Sequence, residues 1–221
     1  MPYRLQAENG TFGGGESVIY ELRTYTLKAG ALRRVLKLFE ERISHRLKYS
    51  PLGGFWITEI GPLNQVVHLW PYESVEQRAA VRSSFVDDPN WPPPIMGDLV
   101  EMRSEVIAPF PSLPALETGE LGPIYELRSY LLEPGSGPAV REIWATKLEA
   151  RSRLSKPLLI GTTDFGVLNT LIHIWPYESF AQRAAVRAKA VDMGVWPPPT
   201  APYIRSMSNL IMLPASFSPL Q

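Results

Sequence analysis

The 221-residue chain has no cysteine, which excludes disulfides, thiolate nucleophiles and cysteine metal sites. It carries no excess charge either, because 22 Lys plus Arg balance 22 Asp plus Glu. Without a basic field, binding to nucleic acid or to an anionic membrane would need a local patch, and neither partner is expected. No apolar run is long enough to span a bilayer, and the opening MPYRLQAENGTFGGGES lacks the basic and apolar blocks of a signal peptide. A cytoplasmic protein is the resulting expectation. Histidines are scarce, at His45, His68 and His173 alone. A three-histidine metal site would need all of them to converge, so no metal is expected. GTFGGG precedes the first β-rich run instead of following it, which argues against a dinucleotide fingerprint, and no serine sits in a nucleophile elbow. No cofactor is expected.

What is abundant is repetition. HLWPYESVEQRAAVR begins at His68 and HIWPYESFAQRAAVR at His173, a spacing of 105 residues. The same spacing relates IYELRTY from Ile19 to IYELRSY from Ile124, and WPPP from Trp91 to WPPP from Trp196. One register without net insertion means tandem duplication of a whole structural unit, with a first domain over 18–110 and a second over 123–214. Residues 1–17 read as a flexible Gly-rich leader, 111–122 as a Pro-rich linker and 215–221 as a tail.

Each half spells the same order of elements. VIYELRTYTL alternates, with Tyr20, Leu22 and Thr24 on one face and Glu21, Arg23 and Tyr25 on the other, and reads as a strand. Leu32, Val35, Leu36, Phe39, Ile43 and Leu47 recur at helical spacing until YSPLGG stops them. FWITEI and QVVHLW across GPLN read as a hairpin. Ser74 followed by Gln77 has the capping-box pattern and opens a second helix. IMGDLVEM is a short helical piece, and RSEVIAPF is the last strand. In the second half Pro138 suits a first helical turn, and Ser179 with Gln182 repeats the cap. Two β-α-β-β-α-β units imply an α+β protein of two ferredoxin-like sandwiches. Each sheet needs cover on its free face, and the other half's sheet supplies it, giving a pseudo-dimeric barrel with helices outside.

YELRTYTLKAG, WITEIGPLNQVVHLWPYESVEQRAAVR and the following Trp91 resemble the NIPSNAP domain of the dimeric α+β barrel superfamily. The resemblance covers residues 18 to 110, with a more diverged copy over 123 to 214. It implies a ferredoxin-like unit that pairs through its sheet, here within one chain. The wider superfamily includes cofactor-free monooxygenases, lactone isomerases, polyketide cyclases and haem enzymes. A haem site would need one axial histidine, but no attachment motif is present.

Candidate chemistry gathers around the doubled histidine. Val66, His68 and Trp70 share one strand face, and Val67 and Leu69 the other. If the apolar pair packs under the helices, His68 enters the barrel with Glu21, Arg23 and Tyr25, and His173 enters with Glu126, Arg128 and Tyr130. A buried imidazole beside a carboxylate and an arginine can act as a general base and stabilise an enolate. His68, His173, Glu21, Arg23, Glu126 and Arg128 are therefore the candidate catalytic residues. The competing reading is structural: an ion pair that fixes register and a satisfied core histidine. Tyr25, Trp56, Trp70, Tyr130, Gly161 and Trp175 are the candidate substrate-binding residues for a flat apolar ligand. Across the duplication Trp56 corresponds to Gly161 and Phe39 to Trp144. The half lacking the tryptophan, near Gly161, is expected to hold the roomier pocket. The expected function is a small-molecule enzyme of isomerase, cyclase or cofactor-free monooxygenase type, with a non-catalytic ligand-binding or protein-interaction module as the alternative. A homo-oligomer of the fused barrel is compatible with either.

Overall fold

The computed structural model describes residues 18–221, so the leader expected over 1–17 lies outside the described residues. The first half comprises β1 (Ile19–Leu27), α1 (Leu32–Arg46), β2 (Gly54–Ile60), β3 (Gln65–Tyr72), α2 (Val75–Ser84) and β4 (Leu99–Pro109). The second repeats it as β5 (Ile124–Leu132), α3 (Gly137–Ser152), β6 (Leu159–Phe165), β7 (Thr170–Tyr177), α4 (Phe180–Asp192) and β8 (Ile204–Pro214). IMGDLVEM is shorter as a helix than expected, since only Met96–Asp98 forms a single 3-10 turn and the strand already begins at Leu99.

Local chemistry explains the breaks. The hairpin turns place Gly61 and Asn64, and Gly166 and Asn169, at positive φ, where Gly and Asn are the tolerant residues. Ser74 Oγ accepts from Gln77 N at 3.2 Å, and Ser179 Oγ from Gln182 N at 3.0 Å, so both expected caps form. The glutamine side chains reach back to the backbone N–H of Glu73 and Glu178, one residue before each cap.

All eight strands close one antiparallel barrel in the order β1-β3-β2-β8-β5-β7-β6-β4. Closure is by exchange: the last strand of each half pairs with the other half, β4 with β6 and β8 with β2. Neither half could satisfy these edges alone. The interior is filled by Tyr20, Leu22, Val67 and Leu69 against Tyr125, Leu127, Ile172 and Ile174. Leu116 and Leu220, from the segments after β4 and β8, join that core. The helices pack on the outer face, with Val35, Phe39 and Ile43 of α1 over Phe55, Val66 and Trp70, and Val140, Trp144 and Leu148 of α3 over Ile160, Leu171 and Trp175.

Trp56 lies in the barrel core, fully buried, its ring 5.5 Å from that of Tyr125. Its counterpart Gly161 leaves no room at all. A Cβ built there would sit 2.4 Å from the Ala108 carbonyl oxygen and 2.9 Å from the Pro109 Cα, because β6 lies tight against β4. The contrast therefore sets how the strands meet and does not open a pocket. Gly161→Ala is expected to destabilise by about 3 kcal/mol, since the clash is with backbone. Urea unfolding checks this, and a change below about 0.5 kcal/mol, the size of an ordinary surface substitution, would contradict it.

Candidate functional site

The β1–β3 register sets Arg23 opposite His68, Glu21 opposite Trp70 and Tyr25 opposite Val66. The expected set is thus assembled side by side, but on the outer face, beneath the helices. The expectation that His68, Glu21, Arg23 and Tyr25 enter the barrel is corrected, as it is for His173, Glu126, Arg128 and Tyr130. An eight-stranded barrel has a narrow interior, which side chains alone can fill. The apolar alternates Tyr20, Leu22, Val67 and Leu69 take that space. The helix layer instead opens at its edge to solvent and to the arginines of α2.

Glu21 is fully buried. Its Oε1 accepts from Arg23 at 2.7 Å, Arg78 at 2.6 Å and Ser104 Oγ at 2.6 Å, with Arg82 at 3.9 Å. Burial alone would raise its pKa, but the Arg78 hydrogen bond and the Arg23 charge outweigh it and hold the carboxyl at about 2. Glu126 is bound likewise by Arg128 at 2.9 Å and Arg183 at 2.6 Å, and its pKa is also lowered against the effect of burial. A carboxylate this strongly ion-paired is not available as a proton acceptor near neutral pH.

His68 is 2% exposed. Its Nδ1 accepts from the Trp70 indole N–H at 2.6 Å, so a neutral ring carries its proton on Nε2. Its ring stacks on Phe55 at 5.2 Å and meets Tyr25 edge-on at 4.8 Å. Burial, with the Arg23 charge second, pushes its pKa well below the ordinary histidine value. His173 repeats this through Trp175 Nε1 at 2.6 Å and is likewise lowered, by burial and then by Arg128. Neither Nε2 has a hydrogen-bond partner among the described residues. Burial thus favours the neutral form of each imidazole, with Nδ1 taken up by the tryptophan and Nε2–H left unpaired. His45 stands on the last turn of α1, and the other two histidines lie in opposite halves.

A cavity of about 220 Å³ opens between the sheet and α1 in the first half. His68, Tyr25 and Trp70 contribute to its wall, together with Phe39, Phe85 and Trp91. In the second half the space facing His173 holds the Trp144 indole, 5.0 Å from the imidazole and 4.7 Å from Trp196, with its N–H donated to Thr200 Oγ1 at 3.3 Å. In the first half Phe39 replaces Trp144 and Ile95 replaces Thr200, so the smaller ring leaves a hollow. The expected roomier pocket near Gly161 is not formed, and the cavity described lies instead beside His68, where Phe39 stands in place of Trp144. Of the expected ligand-binding residues, Tyr25 and Trp70 line this cavity. Trp56 and Gly161 belong to the barrel wall, and Tyr130 and Trp175 to the layer beneath α3.

Sequence reasoning passed over Arg46, Arg78 and Arg82. A signal was there: Arg46 falls on the buried stripe Val35, Phe39, Ile43, Arg46 of α1. Arg78 and Arg82 are the repeated arginines of QRAAVR, four apart on one helix face.

The NIPSNAP family model matches the chain twice, over residues 20–114 and 125–219. The chain belongs to the NIPSNAP family. It is 30% identical over 217 residues to human NipSnap homolog 3A, spanning 93% of this chain and 87% of that protein. It is also 30% identical over 184 residues to a NipSnap homolog of Dictyostelium discoideum, spanning 80% and 78%. A solved Fusobacterium nucleatum structure superposes with a TM-score of 0.67 at 12% identity, covering 92% of this chain and 94% of that one. That likeness is one of fold: a whole two-repeat α+β barrel. Against this NIPSNAP background the two halves share sheet, caps and buried ion clusters, and differ in the ring that the first helix of each sets against the histidine, Phe39 in one and Trp144 in the other.

Proposed function

We propose that this NIPSNAP protein binds a flat, largely apolar small molecule in the first-half cavity, with a carbonyl oxygen turned toward His68. The observation that carries the reading is the asymmetry between the halves. A duplicated unit fills one copy of an aromatic space with Trp144 and leaves the other open beside His68, while the unpaired Nε2–H is common to both copies. Voids in a packed interior cost stability, and buried donors are normally satisfied. A ligand would fill the hollow and could offer His68 an acceptor. An apolar cavity of about 150 Å³ is enough to hold benzene, so about 220 Å³ suits one or two fused rings.

The wall can polarise a carbonyl. A neutral imidazole N–H with arginines nearby stabilises negative charge developing on oxygen, as isomerisation, cyclisation or cofactor-free oxygenation through an enolate requires. His68 would act on the donor side only, because Trp70 occupies Nδ1. A binding role without turnover is the second reading, favoured by the commitment of Glu21 to arginines and of His68 Nδ1 to Trp70. Titration with 2-acetylnaphthalene, followed by calorimetry, tests the shared claim. One saturable site per chain is expected, and no saturable binding of this ketone or of its carboxylate counterpart 2-naphthoate would end the proposal.

A further inference from the structure

Arg46 is a buried cation with no buried anion of its own. It is 3% exposed, and its guanidinium lies between the Trp70 ring at 4.2 Å and the Phe85 ring at 4.7 Å. Its hydrogen bonds go to two neutral hydroxyls, Ser50 Oγ at 2.8 Å and Tyr72 at 2.9 Å. Among the described residues no carboxylate comes within ion-pair reach of it. The cavity wall holds Arg23, Arg46 and Arg82 against the single carboxylate of Glu21. That carboxylate is already shared by Arg23, Arg78 and Ser104. Positive charge is thus in excess around a space with aromatic walls, where charges interact more strongly than in water. Arg82, with 39% of its side chain exposed, extends the positive field toward solvent.

We propose that the ligand of this cavity is an organic anion, a flat apolar carboxylate whose charged end is bound by Arg46. This rests on the small-molecule reading above and adds the sign of the ligand's charge. A guanidinium carries five N–H donors, and Ser50 and Tyr72 take two of those of Arg46, so donors remain for a carboxylate, and a charge-assisted pair of this kind is stronger than a neutral hydrogen bond. The His68 Nε2–H then serves as a second donor on the same wall.

A packing role competes, because Arg151 repeats much of the arrangement in the filled half. It lies 4.2 Å from the Trp175 ring and donates to Tyr177 OH at 3.3 Å and to the Ser155 carbonyl at 3.2 Å. That makes it an internal control. The experiment compares 2-naphthoate with its neutral ketone counterpart, 2-acetylnaphthalene, on the full chain, on Arg46→Met and on Arg151→Met. The wild type should bind naphthoate about tenfold or more tighter than the ketone. Arg46→Met should erase that preference while ketone binding stays within about twofold, and Arg151→Met should leave both affinities as they were. If Arg46→Met does not fold, Arg46→Lys replaces it and should weaken naphthoate binding selectively, having lost the fork. Ketone binding with no preference for naphthoate would overturn this proposal alone, as would equal effects of the two arginine variants. Failure of both probes to bind would overturn it together with the small-molecule reading.

Discussion

Glu21→Gln is expected to destabilise the fold by about 3 kcal/mol, with the loss greatest near neutral pH and fading in acid. The neutral amide would leave Arg23 and Arg78 facing a buried site without its charge, and breaking such a cluster by removing one partner costs about 3–5 kcal/mol. The lower end applies because both arginines retain some contact with water. The depressed pKa gives the same size: a carboxyl held at about 2 in the fold is stabilised by about 3 kcal/mol relative to one titrating in the ordinary range. The pH dependence follows from the direction of that shift. Glu21 contributes fully above its unfolded pKa near 4.5, and the contribution is lost as pH falls toward 2. Glu126, shifted the same way, adds to this acid limb. His68 and His173 act earlier. Their folded pKa values lie below 6.5, so the unfolded chain takes up protons first and stability begins to decline below that pH. Urea midpoints measured from pH 7 to pH 3 check both parts. The gap between wild type and Glu21→Gln should narrow as pH falls through about 4, and a constant gap would contradict the assignment.

Phe39→Trp should weaken ligand binding roughly tenfold or more, because the second half already shows where that indole goes. Trp144 fills the space facing His173 and donates its N–H to Thr200. At the first-half position the acceptor is missing, since Ile95 stands there, so the double variant Phe39→Trp with Ile95→Thr should fill the cavity with less strain. The reverse change, Trp144→Phe, should cost about 1–2 kcal/mol through lost volume and a lost hydrogen bond, and should raise the number of sites toward two per chain. Binding stoichiometry reads both directions. Retained affinity in Phe39→Trp would show that ligands bind elsewhere.

Much of the architecture was legible in the sequence. The duplicated phrases gave the repeat, alternation gave the strands, and Ser74 and Ser179 marked the helix starts that the structure confirms. Pairing of the two sheets followed because each had one face without cover. The side on which the polar set lies was not legible from alternation, which separates two faces without saying what covers each. Here both are buried, one under helices and the other inside a closed barrel. What decides between them is the source of countercharge. Glu21 needs Arg78 and Arg82, and α2 can supply these only on the outer face. The repeated QRAAVR held that information, but its meaning depends on a helix packing over a particular strand. The reversed pocket has a similar cause. Trp56 against Gly161 is the larger contrast in the sequence, yet both sit in tightly filled space. Phe39 against Trp144, a smaller change, falls where a ring's extra volume determines whether a hollow remains.

The most direct measurement of the central claim is a crystal structure of the protein with 2-acetylnaphthalene. Density for the ring system is expected between α1 and the β1–β3 face, against Phe39 and Trp70, with the carbonyl oxygen within hydrogen-bond distance of His68 Nε2 and nothing beside Trp144. Density inside the barrel against Trp56, or beneath α3 in the second half, would contradict it.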